Sequence, residues 1–232
     1  MSKRGRQIAI AKAQVHGIVE LVRIALKSSG PCFVSSGFPR SGSTLVYNLV
    51  KIILEERYAK VFGGWDGHGI PLRENKNDCL LIKTHTLNLQ YLSMADHVIF
   101  SIRDPRTCLV SCFRKFGWWP SYNEIDDWFV SLEWARGHAD SVFKYEDFRN
   151  NYSVLVSELV ELLDYPGDPE YLKSKLPKAS SQSGGFDSET QMHGGHATNT
   201  GDADWRTALP ERFSSYLEEK HFDAMKLMGY LS

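Results

Sequence analysis

A three-layer α/β domain, with a mainly parallel central sheet flanked by helices, is the fold class this sequence predicts. Three observations carry the prediction. Short apolar runs rich in β-branched and aromatic residues alternate with longer segments of helical periodicity, which is the pattern of βαβ units. The runs "CLLIKTH" and "HVIFSIRDP" turn polar at their carboxyl ends, where open parallel sheets bind ligands. The run "CFVSSG" passes through a Gly/Ser loop straight into the long apolar-spaced segment "STLVYNLVKIILEER".

In chain order, residues 7–27 place Ile8, Val15, Ile18, Val22 and Leu26 near helical spacing before "SSGP" stops the pattern, so they predict a packing helix. The strand "CFVSSG", its loop and the helix "STLVYNLVKIILEER" follow. Residues 58–77, with "GGWDGHGIP", have no period and predict a loop. After the strands "CLLIKTH" and "HVIFSIRDP", "RTCLVSCFRKFG" reads as a helix with Pro105 in its first turn. "SYNEIDDWFVSLEWARG" reads as another behind a serine cap, and "DSVFKYEDF" as a further strand. Residues 177–204 are dense in Ser and Gly and predict a mobile loop. A last helix over 210–228 packs through Phe213, Tyr216, Leu217, Phe222 and Met225.

The 232 residues are enough for one good core, and we assign a single domain over 1–232. The 27 Lys and Arg against 28 Asp and Glu leave a formal net charge of −1, so no global field favours nucleic acid. No apolar run is long enough to span a membrane, and the early segment carries Lys12, Glu20 and Arg23 instead of a signal-peptide core. The expectation is a cytoplasmic, unanchored protein. Cys32, Cys79, Cys108 and Cys112 form no CxxC or disulfide-rich spacing and read as reduced, buried thiols. His193 and His196 flank two glycines without a third ligand nearby, so no metal site is predicted.

The chemistry concentrates in "GFPRSGST", residues 37–44. Gly37 and Gly42 have P-loop spacing, and a strand, tight loop and helix start aim several unpaired amides at one point, where an anion can be held. A nucleotide kinase has lysine where this chain has Ser43. Here Arg40 supplies a planar fork of charged donors, and Ser41, Ser43 and Thr44 supply hydroxyls. Lys83 and His85, two apart at a strand end, project to one face, so one can stabilise charge while the other moves a proton.

These residues resemble the PAPS-dependent sulfotransferases, whose 5′-phosphosulfate loop is similar to "FPRSGST". Three further segments fit in order. "LIKTH" resembles the strand end bearing the acceptor base, "SIRDPRTCLVSCF" the 3′-phosphate segment, and "FKYEDF" the later Tyr-Glu-Asp strand. The resemblance spans about residues 31–150 and implies a P-loop-like fold with PAPS as sulfuryl donor, PAP as product and no metal. It implies donor contacts from Arg40, Ser41, Gly42, Ser43, Thr44, Arg103, Ser111 and Tyr145. It implies catalytic roles for His85 as general base, with Lys83 and Arg40 as charge stabilisers. The implied acceptor is a hydroxyl, or an amine, on a small molecule or glycan.

Two positions depart from the family. Leu45 stands where an adenine-stacking Trp often follows the loop, and no Arg or Lys lies between 179 and 205, where the family has an Arg-Lys-Gly run. His196, Asn199, Thr200 and Arg206 are the candidates for closing over the 3′-phosphate. Trp65, Trp118 and Trp119 are candidates for the acceptor pocket, although aromatic residues also serve cores. The rival readings are a Mg²⁺-dependent P-loop nucleotide kinase or NTPase, and a noncatalytic ligand-binding protein on the same fold.

Overall fold

The computed structural model describes residues 30–68, 77–176, 186–193 and 204–231. The expected helix over 7–27 lies outside the described residues.

Five strands form one parallel sheet: β1 (Cys32–Gly37), β2 (Val61–Trp65), β3 (Cys79–Lys83), β4 (His97–Ile102) and β5 (Ser141–Lys144), in the order β2-β3-β1-β4-β5. Pairing is parallel throughout, with Ser35 opposite Lys83 on one side of β1 and Gly37 opposite Ser101 on the other. Period-2 alternation buries both faces. Phe33, Leu81, Ile99 and Phe143 face helices α1 (Ser43–Arg57), α6 (Tyr152–Leu162) and α7 (Pro169–Lys175). Phe100 and Ile102 pack on α3 (Pro105–Phe116), α4 (Tyr122–His138) and the last helices, while Val34, Leu80, Ile82 and Val98 complete that second face. The fold is the three-layer class the sequence predicts.

Local chemistry places the helix ends. Pro105 opens α3 behind Asp104, whose carboxylate accepts the Arg106 amide, and Gly117 closes it at φ 77°. Ser121 and Glu124 form a reciprocal capping box at the start of α4.

Four expectations need correction. Residues 58–77 are not all loop: Val61–Trp65 is the edge strand β2, followed by a single 3₁₀ turn at Asp66–His68. The strand "DSVFKYEDF" ends at Lys144, the last residue paired with β4, and Tyr145–Phe148 form a short helix, α5. Within 177–204, residues Phe186–Asp187 (β6) and Met192–His193 (β7) pair as a small antiparallel hairpin. The helix predicted over 210–228 is two, α9 (Glu211–Lys220) and α10 (Phe222–Leu227), behind a short α8 (Trp205–Ala208). The break falls at His221, whose Nε2 lies 2.9 Å from Asp126 Oδ1 and whose ring stacks on Phe129, a tertiary tie that outweighs helical continuity. A four-residue α2 (Leu89–Leu92) completes the set. Among the described residues no helix is long and apolar enough to cross a membrane.

Candidate active site

The carboxyl ends of β3, β1 and β4 lie side by side, and every residue singled out at the loop and its partners gathers there. Gly37 ends β1 at φ 151°, and a Cβ on it would stand 2.3 Å from Ser101 Oγ and 2.4 Å from the Ser101 carbonyl oxygen. Only glycine fits there. Phe38 N then donates to Ser101 O at 3.1 Å, which turns the chain across β4.

Arg40 follows in left-handed conformation at φ 67°, a strain that aims its side chain across the loop. Gly42, at φ 83°, is the N-cap of α1 and makes no side-chain cap. The amides of Gly42, Ser43 and Thr44 have no acceptor among the described residues, so the positive end of a 15-residue helix presents open donors. Ser41 differs from expectation. Its amide and its hydroxyl both turn back to Phe38 O, at 3.1 and 2.7 Å, and the hydroxyl also meets Ser101 Oγ at 2.8 Å. Ser41 therefore closes the loop, and its fully buried hydroxyl is not directed to a ligand.

The lysine absent from the loop arrives from the neighbouring strand. Lys83, 5% exposed at the end of β3, donates from Nζ to Thr44 Oγ1 at 2.6 Å. Burial, and then the positive charge of Arg40, lower its pKa to about 7. No carboxylate among the described residues pairs with it.

His85 leaves β3 and turns toward the same loop, its Nδ1 2.9 Å from Gly37 O. A carbonyl only accepts, so Nδ1 carries the proton and Nε2 keeps its lone pair. Burial first, then Lys83 and Arg40, lower its pKa to about 4 against the opposing effect of the Gly37 hydrogen bond. The turn that carries it is tied down on both sides. Thr84 Oγ1 donates to Asp66 Oδ2 at 2.6 Å and accepts the Thr86 amide at 3.1 Å. Burial raises the pKa of Asp66.

Arg40 joins the loop to the second segment. Its Nε donates to Ser111 Oγ at 3.0 Å, and its carbonyl accepts from Arg103 Nη1 at 3.2 Å. Arg103 also lies over the Tyr145 ring at 4.2 Å, a cation–π contact. Tyr145 in turn backs Gly42, where a Cβ would meet its Cδ2 at 2.8 Å. Burial, and then Arg103 among the nearby cations, depress Arg40. Arg40, Lys83 and Arg103 thus concentrate positive charge around open amides, an arrangement that can bind a polyanion at two points.

The remaining candidates fall elsewhere or outside the described residues. Arg206 pairs with Asp204 at 3.6 Å and lies over Trp205. Positions 196, 199 and 200 are not described. Trp118 stacks on Phe116, while Trp119 stacks on Phe113 and packs against Phe213. Sequence reasoning missed Asp66, Asp104, Glu146 and Tyr230, all of which brace the site. Only Asp104 carried a signal, as the residue before Pro105 at a helix start.

The five-stranded parallel sheet with a Gly/Ser loop after its central strand is similar in fold to solved sulfotransferase structures. The chain superposes on mouse sulfotransferase SULT7A1 complexed with PAP at a TM-score of 0.57 and 13% identity, covering 91% of this chain and 92% of that one. It superposes on retinol dehydratase in a complex with retinol and PAP at a TM-score of 0.54 and 14% identity, covering 86% and 82%. At such identities the likeness establishes the fold alone. No family model and no curated protein matches the sequence.

Proposed function

We propose that the protein is a sulfotransferase that moves a sulfuryl group from PAPS to an acceptor hydroxyl, or an amine, on a small molecule or glycan. The observation that carries this reading is the junction at Arg40. The Arg40 guanidinium donates to Ser111 while the Arg40 carbonyl accepts from Arg103, so one residue joins the loop after β1 to the segment after β4, which supports a ligand spanning both. The open amides, the two cradle glycines and the clustered Arg40, Lys83 and Arg103 fit a nucleotide phosphorylated at both ends.

The 5′-phosphosulfate belongs at the amides of Gly42, Ser43 and Thr44, beside Arg40 and Lys83. The 3′-phosphate belongs with Arg103 and Ser111, and Tyr145 flanks the adenosine. PAPS supplies the sulfuryl group and, as PAP, the leaving group. His85 takes the acceptor proton at Nε2 as the acceptor oxygen bonds to sulfur and the bond from sulfur to the bridging phosphate oxygen breaks. Lys83 and Arg40 neutralise the charge left on that oxygen. No step requires a metal.

The test has two arms. PAP should raise the melting temperature in EDTA, whereas ATP should not raise it with or without Mg²⁺. Labelled PAPS with a metabolite extract should then yield a sulfated product. Stabilisation by ATP with Mg²⁺ but not by PAP would establish the kinase reading instead. PAP binding without transfer across a broad panel of hydroxyl and amine acceptors would establish the noncatalytic one.

A further inference from the structure

The Arg103–Tyr145 contact lies beyond the last paired residues of β4 and β5, Ile102 and Lys144, so no backbone ladder holds these two strand ends together. A side-chain strut does. Glu146 Oε1 accepts the Asp104 amide at 2.9 Å, joining the residue after Arg103 to the residue after Tyr145. Its other oxygen, Oε2, accepts the Tyr230 hydroxyl at 3.0 Å.

Tyr230 is itself held from both strands. From the β4 side, Arg106 Nη2 donates to Tyr230 O at 2.6 Å while its guanidinium pairs with Asp104. From the β5 side, Lys144 Nζ donates to Met228 O at 2.9 Å and lies 4.4 Å from the Tyr230 ring centroid.

We propose that Tyr230 is a positioning residue for donor binding: its hydroxyl fixes Glu146 as the bridge between the β4 and β5 ends and so sets the Arg103–Tyr145 platform. The inference rests on the PAPS reading above. Two carboxylates, Asp104 and Glu146, sit next in sequence to the groups assigned to an anionic donor, and both are otherwise a hazard to it. Asp104 is committed to Arg106 and to capping α3. Glu146 is committed by the Asp104 amide and the Tyr230 phenol. A Glu146 released from Tyr230 is one residue from Tyr145 and becomes a competitor for Arg103. Burial and the nearby Glu146 charge raise the phenol pKa, so the hydroxyl remains a donor throughout the neutral range.

The experiment measures PAP Kd by calorimetry and the PAPS KM, acceptor KM and kcat for wild type, Tyr230→Phe, Glu146→Ala and the double variant. Tyr171→Phe is the control, since its hydroxyl makes the same kind of bond, to Glu56 Oε1 at 3.0 Å, at the far end of α1. Tyr230→Phe should raise PAP Kd and PAPS KM by about 3- to 10-fold, the range left when a bond to a charged group acts through a neighbour. Acceptor KM and kcat should hold, and Tyr171→Phe should change neither. The double variant should lose no more than Glu146→Ala alone, because both changes break one strut. Unchanged PAP affinity in Tyr230→Phe, or additive losses in the double variant, would overturn the inference while wild-type PAP binding leaves the donor assignment standing. Wild type failing to bind PAP would overturn both.

Discussion

Lys83 is the residue whose removal tests the charge logic most directly. Its pKa of about 7, lowered by burial and by Arg40, means the ammonium is only half formed at neutral pH in the free protein. An anionic donor beside it restores the charge. One phosphate charge about 4 Å away, at an effective dielectric near 20, contributes about 4 kcal/mol, which moves the pKa up by about 3 units. The bound lysine therefore titrates near ~10. Because the pKa rises on binding, the affinity from this group is fully present below the free value of about 7 and declines as pH climbs through the window to the bound value.

The linkage gives numbers. PAP Kd should rise roughly 8-fold between about pH 8 and 9, and binding near pH 8 should take up about 0.9 proton. His85 interferes little there, since a rise of about 3 units from its pKa of about 4 still leaves it mainly neutral near pH 8. Phosphate groups, with a second pKa of about 6, are fully ionised at that pH as well. Calorimetry in buffers of different ionisation enthalpy counts the proton directly. Lys83→Met should abolish the uptake, weaken PAP binding near pH 6 by roughly 10²- to 10³-fold, and flatten the pH profile. Binding near pH 8 without proton uptake, or the same uptake in Lys83→Met, would refute the argument.

Other consequences are more local. His85→Ala should cut turnover about 10²- to 10⁴-fold at saturating acceptor while PAP affinity holds; full turnover would remove His85 from the base role. Gly37→Ala forces a Cβ to within 2.4 Å of the Ser101 carbonyl at a φ of +151°. It should cost about 3 kcal/mol in denaturant unfolding, and an unchanged midpoint would contradict the close packing of β1 on β4. Ser121→Ala removes the capping box of α4 and should cost about 1 kcal/mol, read as a melting point lower by about 2–4 °C. PAP affinity should be unaltered, because α4 contributes no residue to the proposed donor contacts.

Much of the fold was legible because its signals are local. The helix 43–57 announces itself by unbroken apolar spacing, α3 by Pro105 in its first turn, and α4 by the serine cap at Ser121. Where sequence reading failed, the deciding contact was distant or the local pattern was weak. β2 is "VFGGW", whose two glycines erase alternation, and it forms because β3 offers it a partner from Val61↔Cys79 to Trp65↔Lys83. Tyr145 sits in a run that reads as strand, yet pairing with β4 stops one residue earlier. The site divides in the same way. Arg40, Lys83, His85 and Arg103 stand at ends of apolar runs and could be picked out, whereas Tyr230 acquires its place through side-chain contacts 84 and 124 residues away in sequence.

The missing loop lysine has a physical consequence beyond its absence. A lysine inside a phosphate loop is tied covalently to the amides it assists, so the cation and the cradle move together. Here the cation enters from β3, 39 residues away in sequence, through the Lys83–Thr44 bond, and the same strand end carries His85 two residues later. The proposed charge stabiliser and the proposed base are therefore referenced to each other through β3 and its turn. The amides are referenced to β1, and the two frames meet at Ser35↔Lys83 and at the His85–Gly37 bond. A shift of β3 relative to β1 would misplace neutralisation and proton transfer at once. On that ground the buried, fully paired position of β3 between β1 and β2 is a requirement of the proposed chemistry as well as of the fold.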